Sequence, residues 1–108
     1  MENVVFIELI RRGYAPNDGI FYYKTRNHKE VDFILRAGTK IVGLIQVCMD
    51  INSEGARKRE VAALVEAGGE LNCNLLTVLS WDAEAQESVE GGKVNIIPLW
   101  KWLLQGAQ

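Results

Sequence analysis

The sequence is poor in the residues that build metal and disulfide frameworks, with a single histidine, His28, and two cysteines, Cys48 and Cys73. Structural zinc sites draw on sets of four Cys and His ligands, and stapled scaffolds need a denser cysteine pattern. Neither class fits, and both thiols fall in apolar, strand-like runs where buried, reduced cysteine is expected. Long hydrophobic runs are also missing. No stretch approaches the roughly 18 apolar residues of a membrane span, so no membrane partner is expected. The opening Met1-Glu2-Asn3 lacks the basic and apolar segments of a signal peptide, which makes the cytoplasm the expected compartment. No G-x-x-x-x-G-K-[ST] phosphate loop occurs, so ATP binding is not expected within these residues. An excess of positive charge is absent too: the net charge is −2, which argues against binding nucleic acid by bulk charge alone.

What is present suits one ordinary domain spanning residues 1–108. Hydrophobic residues make up 48% and charged residues 24% of the chain, enough for a modest packed core. The charge is uneven. Residues 1–60 carry ten Lys/Arg against eight Asp/Glu, whereas residues 61–108 carry two against six.

Hydrophobic periodicity divides the chain into elements. The stretch "ENVVFIELIRR" (2–12) reads as an amphipathic helix with Val5 and Leu9 on one side, ended by Gly13; Glu8 is an acid within its apolar run. "YAPNDG" is a turn cluster, "IFYYKT" an aromatic strand and "RNHK" a polar hairpin loop. "EVDFILR" alternates, which predicts Val31, Phe33 and Leu35 on one face and Asp32 and Ile34 on the other. "IVGLIQVCM" is nearly continuous and reads as a strand covered on both faces. These three strands predict an antiparallel meander. Ser53 is placed to cap a second helix, which is expected to end near Gly68-Gly69. "CNLLTVLS" is a further buried strand, 82–92 a charged loop, "KVNIIP" a short strand, and "LWKWLLQ" a terminal helix with Trp100, Trp102 and Leu103 as docking residues. The order is α-β-β-β-α-β-β-α.

Strand period two places Gln46 and Cys48 on one face. A hairpin between their strand and that of Asp32 brings the acid close, and Glu8 comes in from the first helix. The expectation is that Asp32, Gln46 and Cys48 project from the same sheet face, with Glu8 opposite them. The plain alternatives are an Asp32 salt-bridged to a neighbouring cation, a helix-surface Glu8, a hydrogen-bonded core Gln46 and a small core thiol at Cys48.

This element order, with an acid on the second strand and a polar-X-polar triplet on the third, resembles the PD-(D/E)XK nuclease fold of restriction enzymes and junction resolvases. "ENVVFIELIRRG", "FYYKTRNHKEVDFIL", "RKREVAALVEA" and "IIPLWKWLL" resemble more closely the C-terminal module of a family of bacterial and archaeal AAA+-type ATPases. The resemblance implies an α/β fold, a restriction-endonuclease-like mixed sheet flanked by helices. It also implies that the chain is a C-terminal piece of a longer ATPase, whose ATPase domain is its partner. In active members of the fold, two carboxylates hold Mg²⁺, which activates water, and a lysine two residues after the second carboxylate steadies the developing charge. Carried over residue by residue, Asp32 stands at the first acid and Glu8 at an auxiliary helix acid. Gln46-Val47-Cys48 replaces Glu-X-Lys. Gln46 offers a neutral oxygen, and Cys48 offers no cation and, buried, little thiolate. The candidate motif positions are therefore Glu8, Asp32, Gln46 and Cys48, with Asp32 and Gln46 as weak Mg²⁺ ligands. Nucleic-acid contacts are expected from Lys24, Arg26, Lys29, Arg57, Lys58 and Arg59. The expected function is a catalytically impaired accessory module docking protein or nucleic acid. The alternatives are an active Mg²⁺-dependent nuclease and a homo-oligomerising interaction domain built on the terminal tryptophans.

Overall fold

A computed structural model describes residues 2–89 and 92–105. The elements run α1 (Glu2–Arg11), β1 (Ile20–Lys24), β2 (Glu30–Ala37), β3 (Lys40–Val47), α2 (Glu54–Leu71), β4 (Leu76–Ser80), β5 (Ala85–Val89), β6 (Gly92–Pro98) and α3 (Leu99–Gln105). All six strands join one sheet in the order β1-β2-β3-β4-β6-β5. The expected meander is present: β1 pairs with β2, and β2 with β3, antiparallel. Helix α2 then carries the chain over the sheet so that β4 lies parallel to β3, the connection a parallel pair requires. The fold is thus α/β, a mixed sheet flanked by helices.

The sheet is a middle layer. On one face α2 packs Ala56, Val61, Leu64 and Ala67 against Val31, Ile34, Leu44, Val78 and Ile96. On the other, α1 and α3 pack Val5, Leu9, Leu99 and Trp102 against Ile20, Phe33, Leu35, Ile45 and Leu79. Burial on both faces accounts for the near-continuous apolar run of β3.

Several expectations need correction. The charged segment 82–92 is not all loop: its centre forms β5, antiparallel to β6. Its polar alternation fits an edge strand with two wetted faces, which hydrophobicity alone does not reveal. Helix α2 ends at Leu71, close to the Gly68-Gly69 pair as expected, but its cap is Asn72 in the left-handed conformation and not a glycine. Gly68 has another purpose. A Cβ there would stand 2.6 Å from the Cys73 carbonyl oxygen, so the glycine admits the close pass of the chain leaving the helix. Ser53 precedes α2, yet its side chain makes no capping bond. Trp102 is 5% exposed and belongs to the core, whereas Trp100 is exposed.

The alternation in β2 also breaks. Val31 and Ile34 share the α2 side, and Phe33 and Leu35 share the other. Between the pairs Phe21↔Ile34 and Tyr23↔Val31, β2 advances three residues while β1 advances two. The extra residue is a β-bulge at Asp32–Phe33, and bulges re-aim side chains.

Candidate functional site

The bulge lies where β2 and β3 stop sharing backbone rungs. Their ladder reaches Phe33↔Ile45, and beyond it side chains take over. The Gln46 amide lies between the strands: its Oε1 accepts from the Asp32 backbone N–H at 2.8 Å, and its Nε2 donates to the Glu30 carbonyl at 2.8 Å. In return, Asp32 Oδ2 accepts from the Val47 N–H at 2.8 Å. Gln46 is 1% exposed, so both ends of its amide need protein partners and both have one. The amide stands in for a missing peptide group and splints two strands.

The structure therefore brings Asp32 and Gln46 together, as strand pairing predicted. Cys48 lies just beyond β3, donates its N–H to the Leu79 carbonyl at 2.9 Å and packs in the cluster beneath α2. Burial pushes its thiol pKa up, with Glu60 adding to the effect, so it is no ready nucleophile.

Glu8 goes elsewhere. Arg11 donates Nε and Nη2 to its two oxygens at 2.8 Å each, and Arg12 donates Nε at 2.8 Å. Arg12 in turn sits 4.0 Å from the Trp102 ring centroid and donates to the Trp102 carbonyl. Glu8 is buried at the C-terminal end of α1, and its two arginines hold its pKa down at about 2. The expected approach of Glu8 to Asp32 is replaced by an arginine clamp that ties α1 to α3.

The acids that do bear on Asp32 are Glu2, at the start of α1, and Glu60, on α2. Burial is the main cause that pushes the Asp32 pKa up to about 6; the Val47 N–H opposes it, and Glu2 and Glu60 add to it, Glu2 by repulsion and by hydrogen bonding. Glu60 is itself raised, chiefly by burial. A pattern in the sequence pointed to both. Glu2, Val5 and Leu9 follow i, i+3, i+7, and Ala56, Glu60, Leu64 and Ala67 follow i, i+4, i+8, i+11, so each acid falls on a core-facing stripe. Tyr22, whose hydroxyl bonds Glu30, is also raised, by Glu30 first and in small part by Asp32.

These residues do not fit a divalent metal. Both ends of the Gln46 amide are committed to backbone, one Asp32 oxygen is committed to Val47, and among the described residues no group of three His, Cys, Asp or Glu is gathered closely enough to hold an ion. What the arrangement can do is keep two strands at a fixed spacing, beside an acid whose charge burial disfavours.

The candidate cations are mostly committed as well. Lys29 pairs with Glu66 at 3.7 Å, Lys58 with Glu54 at 3.4 Å, Arg59 with Glu60 at 3.6 Å, and Arg57 with Glu87. Lys24 and Arg26 are exposed at the β1–β2 hairpin. That hairpin is gripped by α2: Asn27 donates to Glu66 at 2.6 Å, Thr25 bonds the same carboxylate, and Tyr23 and the Arg26 N–H donate to Glu70 at 2.6 and 3.0 Å.

An uncharacterized protein of Methanocaldococcus jannaschii is 38% identical over 96% of this chain, and one of Haemophilus influenzae is 31% identical over 97%. The matches cover 24% and 23% of those proteins, so the chain spans about a quarter of the length of the curated relatives it matches. No solved structure matches the chain significantly. The profile of a domain of unknown function, DUF4143, matches residues 1–102, and the chain belongs to that family.

Proposed function

We propose that this domain is a nuclease-like accessory module of a longer AAA+-type ATPase, in which the position of the cleavage triplet has become a structural splint and the module serves to dock protein. The observation that carries the reading is the Gln46 amide, buried and bonded at both ends to β2. A glutamate at that position, ionised, could not donate to the Glu30 carbonyl, so the residue present suits strand spacing and not metal binding. The arrangement of three antiparallel strands, a crossover helix and a parallel strand agrees with the resemblance read from the sequence. The paired state of Lys29, Arg57, Lys58 and Arg59 favours a protein over a polyanion as the docked partner.

Calorimetric titration of Mg²⁺ into the wild-type chain and Asp32→Ala tests this directly. No specific heat is expected from either, and no cleavage of DNA or RNA with Mg²⁺ or Mn²⁺. Metal-dependent cleavage by the unmodified chain, lost in Asp32→Ala, would overturn the reading and establish the active nuclease. A gel-shift series at low salt separates the docking classes: tight, steeply salt-dependent retention of nucleic acid would replace protein docking.

A further inference from the structure

The two helical layers differ in what they turn to solvent. The outward residues of α2 are Glu54, Lys58, Arg59, Ala62 and Glu70, charged or small. Those of α1 include Val4, Ile7 and Ile10 beside the polar Glu2, Asn3 and Arg11, with Ile7 64% exposed, while α3 turns out Trp100 and Leu104, the latter 63% exposed, with Gln105. Val4, Ile7 and Ile10 repeat at i, i+3, i+6, a stripe along a helix whose opposite side, Val5 and Leu9, is already buried. A helix apolar on both sides belongs in an interior, and an exposed apolar patch of this kind marks an interface. The two helices lie on the same side of the sheet, joined by Arg12 stacked on Trp102.

We infer that the outer faces of α1 and α3 form one docking surface, and that its occupant is another part of the same, longer polypeptide. The length of chain in the relatives argues for this occupant: about three quarters of each lies outside the region matched here, and five large apolar side chains exposed on two neighbouring helices, Val4, Ile7, Ile10, Trp100 and Leu104, suit a permanent contact with tethered chain. The inference deepens the docking role proposed above and rests on it.

Hydrogen–deuterium exchange on the full-length Methanocaldococcus relative and on this 108-residue chain provides the test. Amides of the segments matching α1 and α3 are expected to exchange at least about tenfold more slowly in the full-length protein, because docking adds to the free energy of local opening. Lysine at the residues aligned with Ile7 and Leu104 is expected to abolish that difference. Ile7→Lys with Leu104→Lys in the present chain should leave its melting temperature unchanged, since both side chains are exposed, and this controls for misfolding. Equal exchange in the two proteins would overturn the inference. So would a dimer of the isolated chain that the lysine variant dissociates, because a second copy would then be the occupant. ATP binding by the full-length relative is read separately. Slowed exchange without ATP binding would keep the docking surface and remove the ATPase reading.

Discussion

Glu8 and Asp32 are both carboxylates in the apolar part of the molecule, yet their surroundings push them in opposite directions. Glu8 meets two guanidinium groups and is held at about 2. Asp32 meets burial first and other acids second, keeps only the Val47 N–H in its favour, and is pushed up to about 6. The difference teaches that burial of an acid says nothing about its charge until the partners are named. One end of α1 uses a charge to bind two helices together; near the other, burial and neighbouring acids make a charge harder to carry.

The largest effect is expected where the splint is cut. Gln46→Leu keeps the volume but leaves the Asp32 N–H and the Glu30 carbonyl without partners in a buried gap, a loss of about 2–4 kcal/mol in urea unfolding. A change below about 0.5 kcal/mol would mean that the strands close up and pair directly.

Next comes the clamp. Glu8→Gln removes the charge that Arg11 and Arg12 share, for a loss of about 1–3 kcal/mol at neutral pH. Because the folded pKa of Glu8 lies below its unfolded value, this stability is present above pH ~4.3 and drains away as the pH falls toward 2. The variant should therefore lose its acid limb relative to wild type, and a variant whose stability falls in parallel with wild type below pH 4 would count against the clamp.

Asp32→Asn should have the opposite sign. The folded pKa of Asp32 lies above its unfolded value, so its contribution is most favourable below pH ~4 and declines as the pH rises through about 6. The asparagine oxygen can still accept from Val47, and the charge that burial penalises is gone. A gain of about 1–2 kcal/mol at pH 7, shrinking toward pH 4, is expected. Destabilisation at pH 7 would show that the ionised carboxylate is needed. The smallest effect is predicted for Lys58→Ala, within about 0.5 kcal/mol, because its i,i+4 pair with Glu54 is solvent-exposed.

The order of elements was legible because each apolar run had its own period: three to four residues in α1 and α2, two in β2, unbroken in β3. Edge strand β5 was not, since Ala85–Val89 carries little apolar signal and is defined by its pairing to β6. The juxtaposition of Asp32 and Gln46 followed from hairpin pairing. The fate of Glu8 did not, because an acid in an apolar run signals burial without naming its partner; Arg11 and Arg12, three and four residues on, share its face. The bulge at Asp32–Phe33 has no sequence signature here, and it puts Val31 on the face opposite Phe33 and Leu35.

The grip of α2 on the first hairpin has a consequence for how the chain acquires its shape. Glu66 and Glu70 hold Tyr23, Thr25, Arg26 and Asn27 across sequence separations of 39 to 47 residues. A chain emerging from the ribosome can form the β1–β2 hairpin early, from local contacts, but its tip stays open until α2 has been made and laid down. The hairpin is thus early to form and late to lock, and cleavage at residues 25–29, still at the surface in the finished molecule, is expected to slow once α2 has docked, because the bonds to Glu66 and Glu70 then oppose the local opening that a protease needs.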